Sequence, residues 1–217
     1  MNIYFRTNCN NKIGLGHLSR TVKIAEYFKK KGLNCIFYVD QLKNLGNFKI
    51  KFPIFEIKRN YKFRDQARDA KEFLKNIKSS EGYIFLDDYR LGNTWKKIVK
   101  KSKFKLIYLS DKIEKEKIAD FVVNYKINAN EIEKRIKYNE KTKYLLGTKY
   151  ALIEDQKSNS KNKFAKFNIV LYLGGSGDLK ILKNLAHAIS AFFKRKRERK
   201  ILIKVIVGPL MRNSDCL

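Results

Sequence analysis

Asn2-Ile3-Tyr4-Phe5-Arg6, a polar loop, and then Gly14-Leu15-Gly16-His17-Leu18-Ser19-Arg20 form the stretch whose reading decides the fold. Residues 2–6 read as a short apolar strand. Residues 17–31 place Leu18, Val22, Ala25 and Phe28 roughly on one helical face, and Gly32 ends that helix. A strand, a glycine-containing loop and an amphipathic helix open a βαβ unit, and the pattern repeats downstream. Cys35–Val39 and Ile54–Ile57 read as strands, 64–78 as a helix, Tyr83–Asp87 as a strand ending in a carboxylate, and Thr94–Lys101 as a helix. Leu106–Leu109 and Phe121–Val123 are two further strands. Runs with little polar alternation suit strands buried on both faces, as in a doubly wound parallel sheet.

Residues 151–166 turn polar, most clearly from Gln156 to Lys166, and read as a linker after a first domain of residues 1–150. A second unit, 167–217, starts afresh with strand Asn168–Leu173, the turn Gly174-Gly175-Ser176-Gly177-Asp178, a helix over Leu179–Phe193 and a strand at Ile201–Val207. A single βαβ unit of roughly 50 residues buries too little surface to stand alone, so this second domain is expected to be incomplete. The fold class expected is therefore α/β, with two Rossmann-like domains and parallel sheets.

With 44% hydrophobic residues in 217, the chain can build a real core, and no run approaches a membrane span. The first residues lack the features of a signal peptide, and Cys9, Cys35 and Cys216 are too few and too scattered for a disulfide framework or a zinc site. A cytoplasmic monomer without cofactor or metal is expected. The net charge of +28 raises the question of nucleic acid. However, 38 of the 49 basic residues are lysines spread along the chain, and only Lys194–Lys200 is dense. That run falls at a helix C-terminus, where cations are favourable, so no nucleic-acid partner is expected.

Among the residues able to do chemistry, His17 stands out. It opens a helix directly after Gly14-x-Gly16, where loop amides and the helix dipole favour an anion and an imidazole has tunable charge. Arg20 lies one turn on, suited to forking onto a phosphate or carboxylate. The second glycine turn, Gly174-Gly175-Ser176, again joins strand to helix, with Asp178 or Ser176 as an N-cap in its plainer reading. Asp87-Asp88-Tyr89 ends a strand. Successive strand residues face opposite sides, so at most one carboxylate faces a cleft, and Tyr89 is placed to hydrogen-bond or stack on a sugar. His187, inside an amphipathic helix, is expected to be partly buried and structural.

These residues resemble the UDP-2,4-diacetamido-2,4,6-trideoxy-β-L-altropyranose hydrolases of pseudaminic acid biosynthesis, relatives of GT-B glycosyltransferases such as MurG. That family opens with strand–Arg-x-Asp and then G-x-G-H-x-x-R, which match Arg6-Thr7-Asn8 and Gly14–Arg20 here. Its Asp-x-Tyr-x-Leu and following Trp resemble Asp87-Asp88-Tyr89-Arg90-Leu91, counted from the first Asp, and Trp95. Its later Asp and D-x-x-x-N resemble Asp111 and Asp120–Asn124, and Leu145–Leu152 and Gly174-Gly175-Ser176 match motifs further on. The chain departs from the family at Asn8, where the family has Asp, and at Glu154, where Arg is common.

The resemblance implies a GT-B-like fold and hydrolysis of a UDP-sugar at its anomeric carbon with inversion, releasing UDP and free sugar. In that role His17 is the general base on water. Gly14, Gly16, Arg20, Tyr89 and the Gly174–Ser176 turn bind substrate, the last stabilising the departing diphosphate. Two alternatives remain open. A GT-B glycosyltransferase would replace water by an acceptor hydroxyl, and a non-catalytic remnant would only bind nucleotide.

Overall fold

The computed structural model describes residues 1–9, 14–42, 45, 48–57, 65–112, 116, 118–129, 141–152, 167–174, 177–196, 201–208 and 211. They fall into two compact units. The first holds Met1–Cys9, His17–Leu42 and the described part of 50–153; the second holds the described part of 154–217 with 14–16, 45 and 48–49.

The first unit is built on a seven-stranded sheet, all parallel, in the order β3-β2-β1-β4-β5-β6-β7. Its strands are β1 Asn2–Thr7, β2 Asn34–Val39, β3 Ile54–Glu56, β4 Tyr83–Asp87, β5 Lys105–Leu109, β6 Phe121–Asn124 and β7 Lys143–Leu146. Its described α-helices are α1 Gly16–Lys30, α2 Gln66–Asn76 and α3 Asn93–Val99. The sequence reading placed all of these within a few residues except β7. That strand is a four-residue edge, Lys143-Tyr144-Leu145-Leu146, only partly covered, so its apolar run is too short to stand out. Asp65 caps α2 by accepting a hydrogen bond from the Arg68 amide at 2.9 Å.

The sheet is covered on both faces, as its unalternating strands require: β1 and β4 are buried at almost every position. On one face Phe5 stacks on Phe37, with ring centroids 4.6 Å apart, and tilts against Phe85 at 5.3 Å. α1 lies over this face, its Ala25 carbonyl 3.7 Å from the Cys35 thiol. The other face carries the main core, in which Tyr4, Tyr38, Ile84, Leu86 and Leu106 meet Phe73 of α2 and Trp95 of α3. Full burial of such aromatic and aliphatic side chains is worth about 1.5–3 kcal/mol each. Strand order reverses between β1 and β4, so the loops leaving these neighbouring strands diverge and leave a crevice at their C-terminal ends.

The second unit contains β8 Phe167–Tyr172 and β9 Ile201–Ile206, paired in parallel, and α4 Leu179–Arg195. Asp178 caps α4, accepting from the Lys180 amide at 2.7 Å, and Lys194 and Arg195 fill its last turn as expected for a helix C-terminus. Leu171, Leu182 and Met211 form its small core with Ile169, Ala186, Ile189 and Ile203. His187 is exposed, contrary to the expectation of a partly buried residue, because α4 buries only the Leu182–Ala186–Ile189 stripe. The opposite face of the strand pair leaves Val170, Tyr172, Leu202 and Ile206 open. No described helix is long and apolar enough to cross a membrane.

Candidate active site

The crevice at the β1/β4 switch point holds a tight polar cluster. His17 and Arg20 project from the first turn and a half of α1, the helix that follows β1, and Asp87 is the last residue of β4. Asp87 is fully buried, and its carboxylate faces His17 and Arg20. His17 Nδ1 lies 2.7 Å from Asp87 Oδ1. Arg20 donates from Nε to Asp87 Oδ2 at 2.5 Å and from Nη2 to Oδ1, a two-pronged pairing. The His17 ring also packs edge-on against Tyr89, with centroids 4.6 Å apart.

The remaining donors of Arg20 are used within the same cluster. Nη2 donates to the Tyr89 hydroxyl at 2.7 Å, Nη1 donates to the Tyr125 hydroxyl at 3.2 Å, and Nη1 sits 3.7 Å from Asp111. The Tyr89 hydroxyl in turn donates to Asp111. Burial would pull the Arg20 guanidinium down, but its hydrogen bonds and charge pairing with Asp87 outweigh that and raise it. Tyr89 is pushed up, first by burial and then by its hydrogen bond to Asp111, against the opposing pull of Arg20.

The partners decide which imidazole nitrogen carries the proton. Both Asp87 oxygens accept from the Arg20 guanidinium, so the imidazole nitrogen facing that carboxylate must donate. His17 therefore carries its proton on Nδ1 and leaves the Nε2 lone pair unused by Asp87. Arg20 Nη2 is also 3.0 Å from Nδ1, and this approach reflects both groups converging on Asp87 Oδ1 rather than a bond between two donors. An oriented imidazole with a free basic nitrogen is the arrangement a general base requires.

Asp88, the next residue, points to the other face. Its carboxylate accepts from Arg90 Nε at 2.8 Å and Nη2 at 2.6 Å, and from the Arg90 amide at 3.0 Å. Arg90 continues to Asp40 at the end of β2, and Asp40 accepts from Arg6 Nη2 at 2.6 Å. Arg6 is fully buried and also pairs with Asp69 of α2, at 3.2 Å from Nε and 2.7 Å from Nη2. Trp95 Nε1 closes the network on Asp69 at 2.9 Å. Burial acts to lower the Arg6 guanidinium, and the charges of Asp69 and Asp40 more than offset it. This network ties β1, β2, α2 and α3 to the turn that carries Tyr89.

Of the residues singled out from the sequence, His17, Arg20 and Tyr89 come together, with Asp87 as their hub. Gly14 and Gly174 both adopt positive φ, 78° and 79°, while Gly16 is the exposed first residue of α1. Gly175 and Ser176 lie outside the described residues. Tyr125 and the Arg6–Asp40–Asp69–Arg90 network went unread in the sequence. One signal was available, because strands β2, β4 and β5 each run into an acidic residue, at Asp40, Asp87 and Asp111.

No family model matches the chain. Over 227 aligned residues it is 26% identical to an uncharacterized protein of Methanocaldococcus jannaschii, an alignment covering 99% of this chain and 44% of that protein. Among solved structures it resembles Acinetobacter baumannii MurG, with a TM-score of 0.56 and 10% identity over 95% of this chain and 66% of that one. It also resembles a glycosyltransferase from Rickettsia africae, with a TM-score of 0.54 and 12% identity over 94% and 68%. The chain thus spans less than half the length of the curated relative and about two thirds of the two structures. Taken with the parallel sheets, these likenesses give the chain a GT-B-like fold, as the sequence motifs implied.

Proposed function

We propose that this chain carries the sugar-processing half of a UDP-sugar hydrolase. In this reading it cleaves a UDP-linked diacetamido-trideoxyhexose at the anomeric carbon, with inversion, to give UDP and free sugar for pseudaminic acid-type glycans. The observation that carries the reading is the His17–Asp87 pair: an imidazole held on its Nδ1 side by a buried carboxylate, with Nε2 taking no hydrogen bond among the described residues, at the switch point of a doubly wound sheet. His17 Nε2 takes a proton from water as the water attacks C1 from the face opposite the diphosphate. Such help is typically worth about 10²–10⁴-fold in rate. Tyr89, about half exposed beside the imidazole, contacts the sugar.

A glycosyltransferase is the second reading, supported by the name of the Rickettsia africae neighbour. The two differ only in whether water or an alcohol attacks. Incubating the protein with the UDP-sugar in ¹⁸O-labelled water separates them. Hydrolysis at C1 puts the label on the free sugar and leaves UDP unlabelled. UDP release that appears only when an acceptor alcohol is added would overturn the hydrolase reading in favour of transfer.

A further inference from the structure

We propose that Arg20 is a positioning residue rather than a substrate ligand, and that its charge keeps His17 neutral by sharing Asp87. The proposal rests on the reading of His17 as a base, and it changes the role that the sequence suggested for Arg20. A guanidinium that binds a substrate phosphate needs donors to spare. Arg20 places Nε and Nη2 on Asp87, Nη2 also on Tyr89, and Nη1 on Tyr125 with Asp111 at 3.7 Å. Four of its five N–H groups are taken by protein oxygens, the fifth lies on the Asp111 side, and its side chain is only 18% exposed.

The consequence lies in the charge seen by the imidazole. Among the described residues, the groups facing His17 are Asp87 from β4, Arg20 from its own helix and Tyr89 from the turn after β4, with Asp111 behind Tyr89. A buried carboxylate paired with the imidazole alone favours a second proton on the ring, because a nearby anion stabilises the charged form. An imidazolium has no lone pair and cannot act as a base. Arg20 supplies that countercharge, so Asp87 is neutralised and still accepts from Nδ1. The site gains an oriented imidazole without an ionised one.

His17 and His187 are the chain's two histidines, so ¹⁵N NMR of the ring nitrogens reads His17 directly, with exposed His187 as an internal reference. In the native protein at neutral pH, His17 is expected to show a protonated Nδ1 and an unprotonated Nε2. Arg20→Gln is expected to convert His17 to the doubly protonated pattern, and Arg20→Lys to restore the neutral one. The double variant Arg20→Gln/Asp87→Asn removes both charges together, so it keeps the test available if the single variant fails to fold. It too is expected to show a neutral ring. A neutral His17 in folded Arg20→Gln, or a doubly protonated one in the double variant, would overturn the proposal. So would a shift of the Arg20 Nε–H signal on adding inorganic phosphate or UDP while the His17 pattern stays fixed. These readouts need no turnover. The expected NMR patterns in a protein that releases no UDP from the UDP-sugar would defeat the hydrolase reading and leave the role of Arg20 standing.

Discussion

Asp87 and Asp88 are adjacent at the end of β4, both essentially fully buried, and they serve opposite faces of the sheet. Asp87 receives His17 and Arg20 on the α1 side, while Asp88 receives Arg90 on the side of α2 and α3. One peptide bond thus joins a candidate chemical group to a structural anchor, and the pleat of the strand keeps them apart.

The pair makes a contrast that mutagenesis can read. Asp87→Asn preserves shape but loses the charge that orients the His17 ring, so under the hydrolase reading proposed above kcat for UDP release is expected to fall by about 10²–10⁴-fold with little change in KM. Asp88→Asn leaves the His17 contacts in place and weakens charge-assisted bonds to Arg90, so it is expected to cost about 1–3 kcal/mol of stability. Its turnover per folded molecule should stay near that of the native protein. Steady-state kinetics and urea unfolding on both variants check this, and similar kinetic losses at the two positions would contradict it.

Arg6 offers a test of the anchor itself. Arg6→Met removes the cation that Asp40 and Asp69 share and leaves buried carboxylates short of a countercharge. Breaking a buried ion pair from one side typically costs about 3–5 kcal/mol. Trp95→Phe, which deletes only the indole donor to Asp69 and some buried volume, should cost less, about 1–3 kcal/mol. Urea denaturation gives both values, and a loss under about 1 kcal/mol for Arg6→Met would mean the network contributes little.

Gly82 enters β4 at φ 138°, and a Cβ there would lie 2.7 Å from the Asn2 carbonyl oxygen. That oxygen belongs to β1 backbone and has no flexible side chain to yield. Gly82→Ala therefore combines a disfavoured backbone conformation, about 1–3 kcal/mol, with displacement of β4 from β1. A clear drop in melting temperature is expected. An unchanged melting temperature would show that the β1–β4 register relaxes easily at this end.

Legibility in the sequence followed the range of the interactions. Elements with unbroken apolar runs, such as β1, β4 and β5, were readable because burial on both faces writes itself into consecutive residues. The four-residue edge strand β7 was not, since it is short and only its last residue is buried. At the site, Gly14–Arg20 was legible as a local motif, and the opposed directions of Asp87 and Asp88 followed from strand geometry alone. The saturation of Arg20 was not readable, because its partners come from positions 87, 89 and 125, brought together only by the parallel sheet order. The same holds for Arg6, whose carboxylates lie 34 and 63 residues away along the chain.

The buried Lys96–Glu116 pair predicts the acid response of the first unit. Burial alone would push the Glu116 carboxyl up. The 2.5 Å bond and charge of Lys96, with the amides of Ile118 and Ala119, outweigh it and hold the group below its ordinary 4.5. Asp120 behaves alike: burial opposes, but Lys100 and the Leu106 amide lower it below 3.8. A carboxyl whose value is lowered on folding contributes stability that is fully present above its unfolded value and is lost as pH falls through the folded one. Both contributions are therefore intact at neutral pH and disappear only in the acid range beginning below about 4.5. Glu116→Gln keeps the shape but removes the titrating group, so urea midpoints measured from neutral pH down to about pH 3 should fall less steeply for the variant than for the native protein. The variant should also be less stable at neutral pH, since Lys96 would be left with a neutral partner in a buried site. Parallel acid profiles for the two proteins would show that the Lys96–Glu116 pair is not what the first unit loses on acidification.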